Sequence, residues 1–242
     1  MTRFRSFLFA IGYFLIIFSV TFAGSIAGIF IPYKTRFFVP KSVFHGAAVW
    51  LRVTCGVKYR IEGTENIPKN RAIVAVSNHQ SAWETYALQT LIAPASTVLK
   101  RELLWIPFFG WSLAFLRPIA IDRSKAAAAY KKVLKVGAAK LRRGVNVIVF
   151  PEGTRVAYGA RAEFKRSASV LAKQAGAAIL PIAHNSGVCW PARKFVKRGG
   201  TIVMKVGEII ETQNKSVEQI HEEYTAWIRS AMLELESCNP RR

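Results

Sequence analysis

A histidine and a glutamate five positions apart are the residues of this sequence best suited to acid–base chemistry. His79 and Glu84 belong to the segment 77–84, which reads SNHQSAWE. Imidazole near its neutral form is the usual general base at physiological pH, and it needs a partner that fixes its tautomer and stabilises the imidazolium. Glu84 is the nearest carboxylate in sequence, so the pair suits removal of a proton from a substrate hydroxyl group.

The start of a helix decides whether this pair can meet. The apolar segment 72–76 predicts a buried strand, and the spacing of large apolar residues in 85–91 predicts a helix. Five residues along a regular helix separate His79 and Glu84, so they can meet only if His79 precedes the helix and Glu84 lies in its first turn. Ser81 and Glu84 have the spacing of a capping box, which permits that geometry but also offers a purely structural interpretation of Glu84.

A second segment with chemical potential follows another predicted buried strand. Residues 150–155 read FPEGTR, which predicts a turn that carries Glu152 and Arg155 past the edge of a sheet. The Arg155 guanidinium could bind a phosphate group through two hydrogen bonds, with Gly153 permitting close approach of the backbone. Glu152 could accept a hydrogen bond from a substrate hydroxyl group. The structural alternative is a turn that only ends a strand.

Four ordered blocks between Asn78 and Ala183 resemble the motifs of the glycerolipid acyltransferases, the lysophosphatidate acyltransferase family. The first block is Asn-His followed by an acidic residue five positions after the histidine; the family normally has Asp there, and this chain has Glu84. The segment FPEGTR matches the third family motif at every position. The second block contains two similar segments, KRELLWIPFFG at 100–110 and IDR at 121–123, and the fourth block is AILPIA at 178–183.

The resemblance implies transfer of an acyl group from an acyl thioester to the 2-hydroxyl of 1-acyl-sn-glycerol 3-phosphate, which forms phosphatidate. His79 and Glu84 would be catalytic. The donor would be acyl-CoA or acyl-carrier protein, with no cofactor, no metal and no enzyme nucleophile. The residues expected to bind substrate are Lys100, Arg123, Glu152, Gly153, Thr154, Arg155 and Lys165.

Two of these expectations concern the anionic group of the acceptor. The family associates the arginine at position 123 with the headgroup of the acceptor, and Lys165 is a candidate second ligand of the phosphate. Lys165 lies in FKRS at 164–167, where the family usually has a basic pair and then glycine; Ser167 departs from that pattern. Lys100 could also lie at the polar mouth of an acyl-chain groove built from the aromatic segment after it.

The elements that must position these residues divide into two parts. Interleaved strand and helix patterns after residue 57 predict an α/β domain over 57–242, a mixed sheet flanked by helices. Residues 1–56 are predicted to form a membrane-embedded or interfacial helical segment, because 7–33 carries no charge and is long enough to cross a hydrocarbon core of about 30 Å. Gly24, Gly28 and Pro32 weaken its second half, so a bent or re-entrant segment is the alternative to a straight span. Residues 37–57 suit an interfacial helix, or an amphipathic helix packed on the domain.

Composition narrows the choice of partner. With 35 Lys and Arg against 14 Asp and Glu, the chain carries a formal charge of +21, which indicates an anionic partner. The apolar amino terminus and the lack of a recognisable binding motif argue against nucleic acid, so we expect membrane lipids as partners. Cations flank 7–33 at both ends and do not decide its orientation; we expect the cytoplasmic face of the membrane. Three scattered cysteines predict neither a metal site nor a disulfide framework. The alternatives are acylation of another lysolipid, such as a lyso-ornithine lipid, and a non-enzymatic basic membrane-binding module.

Overall fold

The computed structural model describes residues 1–237, so Cys238 and the four residues after it lie outside the described part of the chain. Seven helices and seven strands occur within it, besides short 3-10 turns. The helices are α1 Thr2–Ala27, α2 Phe38–Cys55, α3 Trp83–Leu91, α4 Phe109–Phe115, α5 Ala126–Arg142, α6 Ser167–Ala175 and α7 Val217–Ser237. The strands are β1 Val57–Glu62, β2 Val74–Ser77, β3 Ala95–Lys100, β4 Ile119–Ile121, β5 Asn146–Val149, β6 Ile179–His184 and β7 Gly200–Val206.

The strands form one sheet in the order β1-β7-β6-β2-β5-β3-β4. All neighbouring pairs are parallel except β6 and β7, which run antiparallel. The predicted mixed sheet flanked by helices is therefore confirmed. β2 lies at the centre of the sheet, and its carboxyl end shares one edge with those of the four strands parallel to it, β6, β5, β3 and β4, where α/β folds place their ligands.

Helices cover both faces of the sheet, and alternate residues of β2 contact the two layers. Ala75 belongs to the apolar cluster that contains Phe9 of α1, Leu51 of α2 and Leu88 of α3. Val74 and Val76 belong to the opposite cluster, which is built from α5, α6 and α7. α1 and α2 thus lie on the face of the sheet opposite α5.

The amino-terminal helix α1 is long and apolar enough to cross a membrane, and only 17% of its most apolar window is buried. It ends at Ala27, and Gly28 and Pro32, which weaken the second half of the apolar segment 7–33, follow. Several of its aromatic side chains are exposed, such as Phe14 at 66%. The apolar helical segment predicted at the amino terminus is thus present, with an outer face suited to lipid.

The second helix packs on the domain, which is the second of the two interpretations considered for 37–57. α2 buries Phe44 and Leu51 in the core and leaves Val53 exposed. It is joined to α1 by the Trp50 indole, whose Nε1 donates to the Leu8 carbonyl oxygen at 3.1 Å. Because α2 also contacts α3, it supports the helix that carries Glu84. The division of the chain into 1–56 and 57–242 remains a prediction.

Candidate active site

His79 lies between the end of β2 and the start of α3, at the ligand-binding edge of the sheet. Glu84 is the second residue of α3. His79 therefore precedes the helix and Glu84 lies in its first turn, as a hydrogen bond between them requires. Nδ1 of His79 lies 2.8 Å from Oε1 of Glu84, with the Glu84 side chain fully buried and the His79 side chain 13% exposed. The imidazole stacks on the Phe150 ring, with 4.1 Å between centroids.

The Glu84 carboxylate accepts hydrogen bonds on both oxygens. Oε1 also accepts from the backbone amides of Gln80 at 2.9 Å and Ser81 at 2.8 Å. Oε2 accepts from the hydroxyl groups of Ser81 at 2.5 Å and Ser186 at 2.9 Å. The two interpretations of Glu84 are therefore compatible, because one oxygen contacts both the histidine and the Ser81 amide. α3 itself begins at Trp83, whose amide donates to the Ser81 hydroxyl.

These contacts fix the protonation state of the pair. Burial raises the pKa of Glu84, but the His184 and His79 imidazoles and the Ser81 hydroxyl oppose it and hold that pKa well below its usual range. Glu84 is thus an ionised carboxylate at neutral pH, and a carboxylate only accepts hydrogen bonds. The proton of neutral His79 must therefore lie on Nδ1, which leaves the Nε2 lone pair available for a substrate proton.

His184 supports the site from the end of β6. Its Nε2 donates to the Asn78 carbonyl oxygen at 2.8 Å. The Asn78 side chain donates from Nδ2 to the His184 carbonyl oxygen, and its Oδ1 accepts from the His184 backbone amide. Burial lowers the pKa of His184, which favours this neutral, donating tautomer. These bonds tie the end of β6 to the end of β2 and bring Ser186 to Glu84. Sequence reasoning missed Ser186, which lies outside every motif.

The Glu152 side chain binds the backbone amide of His79. Its Oε2 accepts from the His79 amide at 2.7 Å, and the His79 carbonyl oxygen accepts from the Val156 amide at 2.8 Å. Residues 150–155 are therefore joined directly to the catalytic loop. Burial, opposed by the His79 amide and reinforced by Glu84, raises the pKa of Glu152 to about 7. Its expected contact with a substrate hydroxyl group remains a prediction.

The raised pKa of Glu152 predicts a pH-dependent loss of stability. The folded state favours the protonated carboxyl group, so this contribution to stability is complete below the ordinary pKa of 4.5 and is lost as pH rises through about 7. A pKa difference of this size corresponds to roughly 3 kcal/mol in the free energy of unfolding. In Glu152→Gln, which stays neutral and retains an acceptor for the His79 amide, thermal unfolding in detergent should depend less on pH between 4.5 and 8. Equal pH dependence in both proteins would contradict the raised pKa.

A cavity of about 870 Å³ opens at His79. Of the nine residues predicted for the site, His79, Lys100, Arg123, Gly153, Thr154, Arg155 and Lys165 line it, whereas Glu84 and Glu152 lie behind its wall. Gly153 has a φ of +71°, and a Cβ there would lie 3.2 Å from the Lys165 ammonium nitrogen. A glycine is needed at this point of the loop because it permits both the backbone conformation and the approach of Lys165.

The polar part of the cavity is strongly cationic. Arg166 and Arg193 join the predicted basic residues in its lining, and no aspartate or glutamate among residues 1–237 lines it. Arg101 pairs with Asp122 at 3.2 Å, whereas Arg123 and Arg155 have no ion pair in the described chain. Sequence reasoning missed Arg193, which follows β6 outside the four blocks. Such a site would stabilise a multiply charged anion.

The other part of the cavity is apolar. Leu103, Phe109 and Leu113 line it, so the aromatic segment after Lys100 contributes to a surface suited to an alkyl chain. Trp105 and Trp111 of the same segment are instead exposed, at 67% and 50%. Within residues 1–237, no group of three or more His, Cys, Asp or Glu side chains could hold a metal ion.

Comparisons with known proteins agree with this geometry. The family model described as Acyltransferase matches residues 58–185. A 1-acyl-sn-glycerol-3-phosphate acyltransferase of Pseudomonas aeruginosa is 40% identical over 215 residues, which are 87% of this chain and 83% of that protein. The human 1-acyl-sn-glycerol-3-phosphate acyltransferase alpha is 36% identical over 132 residues, 54% of this chain and 47% of that protein.

A solved structure extends the similarity to the whole fold. The crystal structure of the 1-acyl-sn-glycerophosphate (LPA) acyltransferase PlsC from Thermotoga maritima superposes with a TM-score of 0.79 at 25% identity, covering 98% of both chains. The family match spans more than half of this sequence and includes His79, Glu84 and the 150–155 loop. The chain therefore belongs to the acyltransferase family.

Proposed function

We propose that the protein transfers an acyl group from an acyl thioester to the 2-hydroxyl of 1-acyl-sn-glycerol 3-phosphate, forming phosphatidate for phospholipid synthesis. The observation that carries this proposal is the buried His79–Glu84 pair at a cavity with one cationic and one apolar part. The acceptor has the matching chemistry, a phosphate at one end and an acyl chain at the other. The names of the Pseudomonas, human and Thermotoga relatives support the same acceptor.

The mechanism follows from the tautomer of His79. Nε2 removes the proton of the acceptor hydroxyl as its oxygen attacks the thioester carbonyl carbon, and Glu84 stabilises the imidazolium that forms. The tetrahedral intermediate then collapses, the carbon–sulfur bond breaks, and the imidazolium returns the proton to the departing thiolate. One ester forms, one thioester is consumed, and neither an enzyme nucleophile nor a metal takes part in these steps.

Arg155 is the proposed principal ligand of the acceptor phosphate, assisted by Lys165 and Arg123. Arg155 lines the cavity and has no ion pair in the described chain, so its donors are available to substrate. A guanidinium matches two phosphate oxygens in one plane, whereas a lysine ammonium offers a single point charge. A lyso-ornithine acceptor has no phosphate, so the six cations of the cavity favour the phosphate acceptor over that alternative.

Steady-state kinetics with both acceptors test this assignment. Arg155→Lys keeps the charge but loses the bidentate geometry, and a hydrogen bond to a charged group is worth roughly 1.5–3 kcal/mol, or about ten- to a hundredfold in binding. The KM for lysophosphatidate should rise by that factor, with little change for lyso-ornithine lipid. A wild-type enzyme that prefers the lyso-ornithine acceptor, or a variant with an unchanged KM for lysophosphatidate, would refute the assignment.

Ser186 is a proposed positioning residue for the same reaction, because its hydroxyl group donates to Oε2 of Glu84. Ser186→Ala should lower kcat about tenfold, the effect of one lost hydrogen bond to a charged group. KM should be nearly unchanged, and the acidic limb of the pH–rate profile should move because Glu84 loses a donor. Ser186→Thr retains a hydroxyl group and should recover part of the rate. A loss of thermal stability with an unchanged kcat and pH profile would assign Ser186 a structural role only.

The protein acts at the membrane, where its lipid acceptor and product reside. α1 supplies an exposed apolar face on the side of the sheet opposite α5. Apolar burial of this kind holds a protein at the bilayer regardless of salt. We place the catalytic domain at the cytoplasmic face, where thioester donors are available.

A further inference from the structure

The surface of α5 carries an uninterrupted set of cations. No acidic residue occurs between Asp122 and Glu152. Lys140 differs from the others because its Nζ donates to the Arg117 carbonyl oxygen. The remaining cations of α5 and its flanks are exposed and have no ion pair with any residue in 1–237. This α5 basic face consists of Lys125, Lys131, Lys132, Lys135, Arg142 and Arg143.

The position of this face separates it from the lipid-facing helix. α5 packs in the apolar cluster on one side of the sheet, whereas α1 and α2 pack on the other side. Helices that lie in a membrane interface insert aromatic and long aliphatic side chains beside their cations. The exposed residues of α5 beside its cations are instead Ala126, Ala127, Ala128 and Tyr130. An anionic partner in solution fits this face better than a bilayer.

The same helix borders the cavity of the proposed active site. Ala129, Tyr130 and Val133 of α5 line that cavity, while Lys131, Lys135 and Arg142 line a separate shallow depression on the outer surface. A helix of this length extends about 25 Å, which is more than one small nucleotide can contact. The partner is therefore a macromolecule that comes to rest beside the cavity mouth.

We propose that the α5 basic face docks an acidic carrier protein that delivers the acyl chain to the cavity as a thioester. The inference rests on the proposed function, and it names the donor that the chemistry of the site alone does not select. Complementary charge steers such a partner to its site and fixes its orientation. Coenzyme A donors would bypass the face, because their phosphates can bind within the cationic cavity itself.

The test compares two donors that carry the same acyl chain, acyl-carrier protein and acyl-CoA. The double variant Lys131→Glu with Lys135→Glu reverses two charges of the face outside the active-site cavity. Its KM for acyl-carrier protein should rise about tenfold or more, since a like-charge contact replaces an attractive one. Its KM and kcat for acyl-CoA should stay within about twofold of wild type. For the wild type, added salt should raise the KM for acyl-carrier protein more than that for acyl-CoA.

A matched control reverses two exposed lysines away from α5. Lys58 lies on β1 at the opposite edge of the sheet from β4, and Lys69 precedes β2; neither lines the cavity. Lys58→Glu with Lys69→Glu should behave like wild type with both donors. If the α5 variant loses thermal stability, Lys131→Gln with Lys135→Gln makes the same comparison with smaller changes.

Three results would overturn the docking proposal. The first is a wild-type enzyme that uses acyl-CoA but not acyl-carrier protein. The second is an equal effect of the α5 variant on both donors. The third is weaker binding of the α5 variant to phosphatidylglycerol vesicles with an unchanged KM for acyl-carrier protein, which would assign the face to the bilayer instead. Absence of phosphatidate with either donor would contradict the proposed function itself, which distinguishes the two failures.

Discussion

The variant His79→Ala should lower kcat for phosphatidate formation by at least about a hundredfold, the range expected when a general base is removed. Without the imidazole, no group at this position can accept the hydroxyl proton or return it to the thiolate. KM should change little, because the cations proposed to bind the phosphate are other residues of the cavity. The measurement is steady-state turnover of the detergent-purified protein, with thermal unfolding recorded in parallel.

A matched histidine variant separates this effect from a general one. His45 is exposed on α2, and its ring bonds only the Lys41 carbonyl oxygen within the described chain. His45→Ala should therefore turn over like wild type. Normal turnover by a folded His79→Ala protein would remove His79 from the mechanism, and a non-enzymatic membrane-binding module would show no transfer by any of the three proteins.

Replacing Glu84 with glutamine should also lower kcat by about a hundredfold or more, as expected when the group that orients a catalytic histidine loses its charge. Glutamine cannot accept on both terminal atoms, so His79, Ser81 and Ser186 would compete for one oxygen. The imidazolium would also lose its counter-charge. The measurement is kcat against pH, with near-ultraviolet circular dichroism to show that the protein remains folded.

A shorter carboxylate supplies the control for Glu84. Glu84→Asp keeps the charge but is one methylene short of the five donors that surround the carboxylate. It should retain partial activity, limited by its reach to Nδ1 of His79. If Glu84→Gln keeps full turnover, the carboxylate serves only to cap the start of α3.

The strand and helix patterns anticipated the elements of the domain because each has its own hydrophobic period. β2 and α3 lie within two residues of the segments predicted for them. The order of the strands could not be read in the same way, because β5 and β6 reach β2 only through crossovers from distant parts of the chain. Gly28 and Pro32 indicated a break in the apolar segment 7–33, but composition alone does not locate the end of α1 at Ala27.

The candidate site was predictable where its residues are consecutive and not where they meet across the fold. The motifs containing His79 and Arg155 supplied His79, Thr154 and Arg155 of the cavity lining, and the other similar segments supplied Lys100, Arg123 and Lys165. Ser186 is 102 positions from Glu84, so no local spacing indicates their contact. The dual role of Glu84 was undecidable from sequence, because a carboxylate can accept several hydrogen bonds at once. Glu152 was expected to face substrate. Its hydrogen bond with the His79 amide, 73 positions away, could be recognised only from the fold.

The most direct test of the central claim is product analysis by mass spectrometry. Purified wild-type protein is supplied with lysophosphatidate, lyso-ornithine lipid and both thioester donors, in parallel with His79→Ala. The account predicts phosphatidate as the main product of the wild type, one free thiol released for each phosphatidate formed, and almost none of either from the variant. Acylation of lyso-ornithine lipid alone, or equal phosphatidate from both proteins, would contradict it.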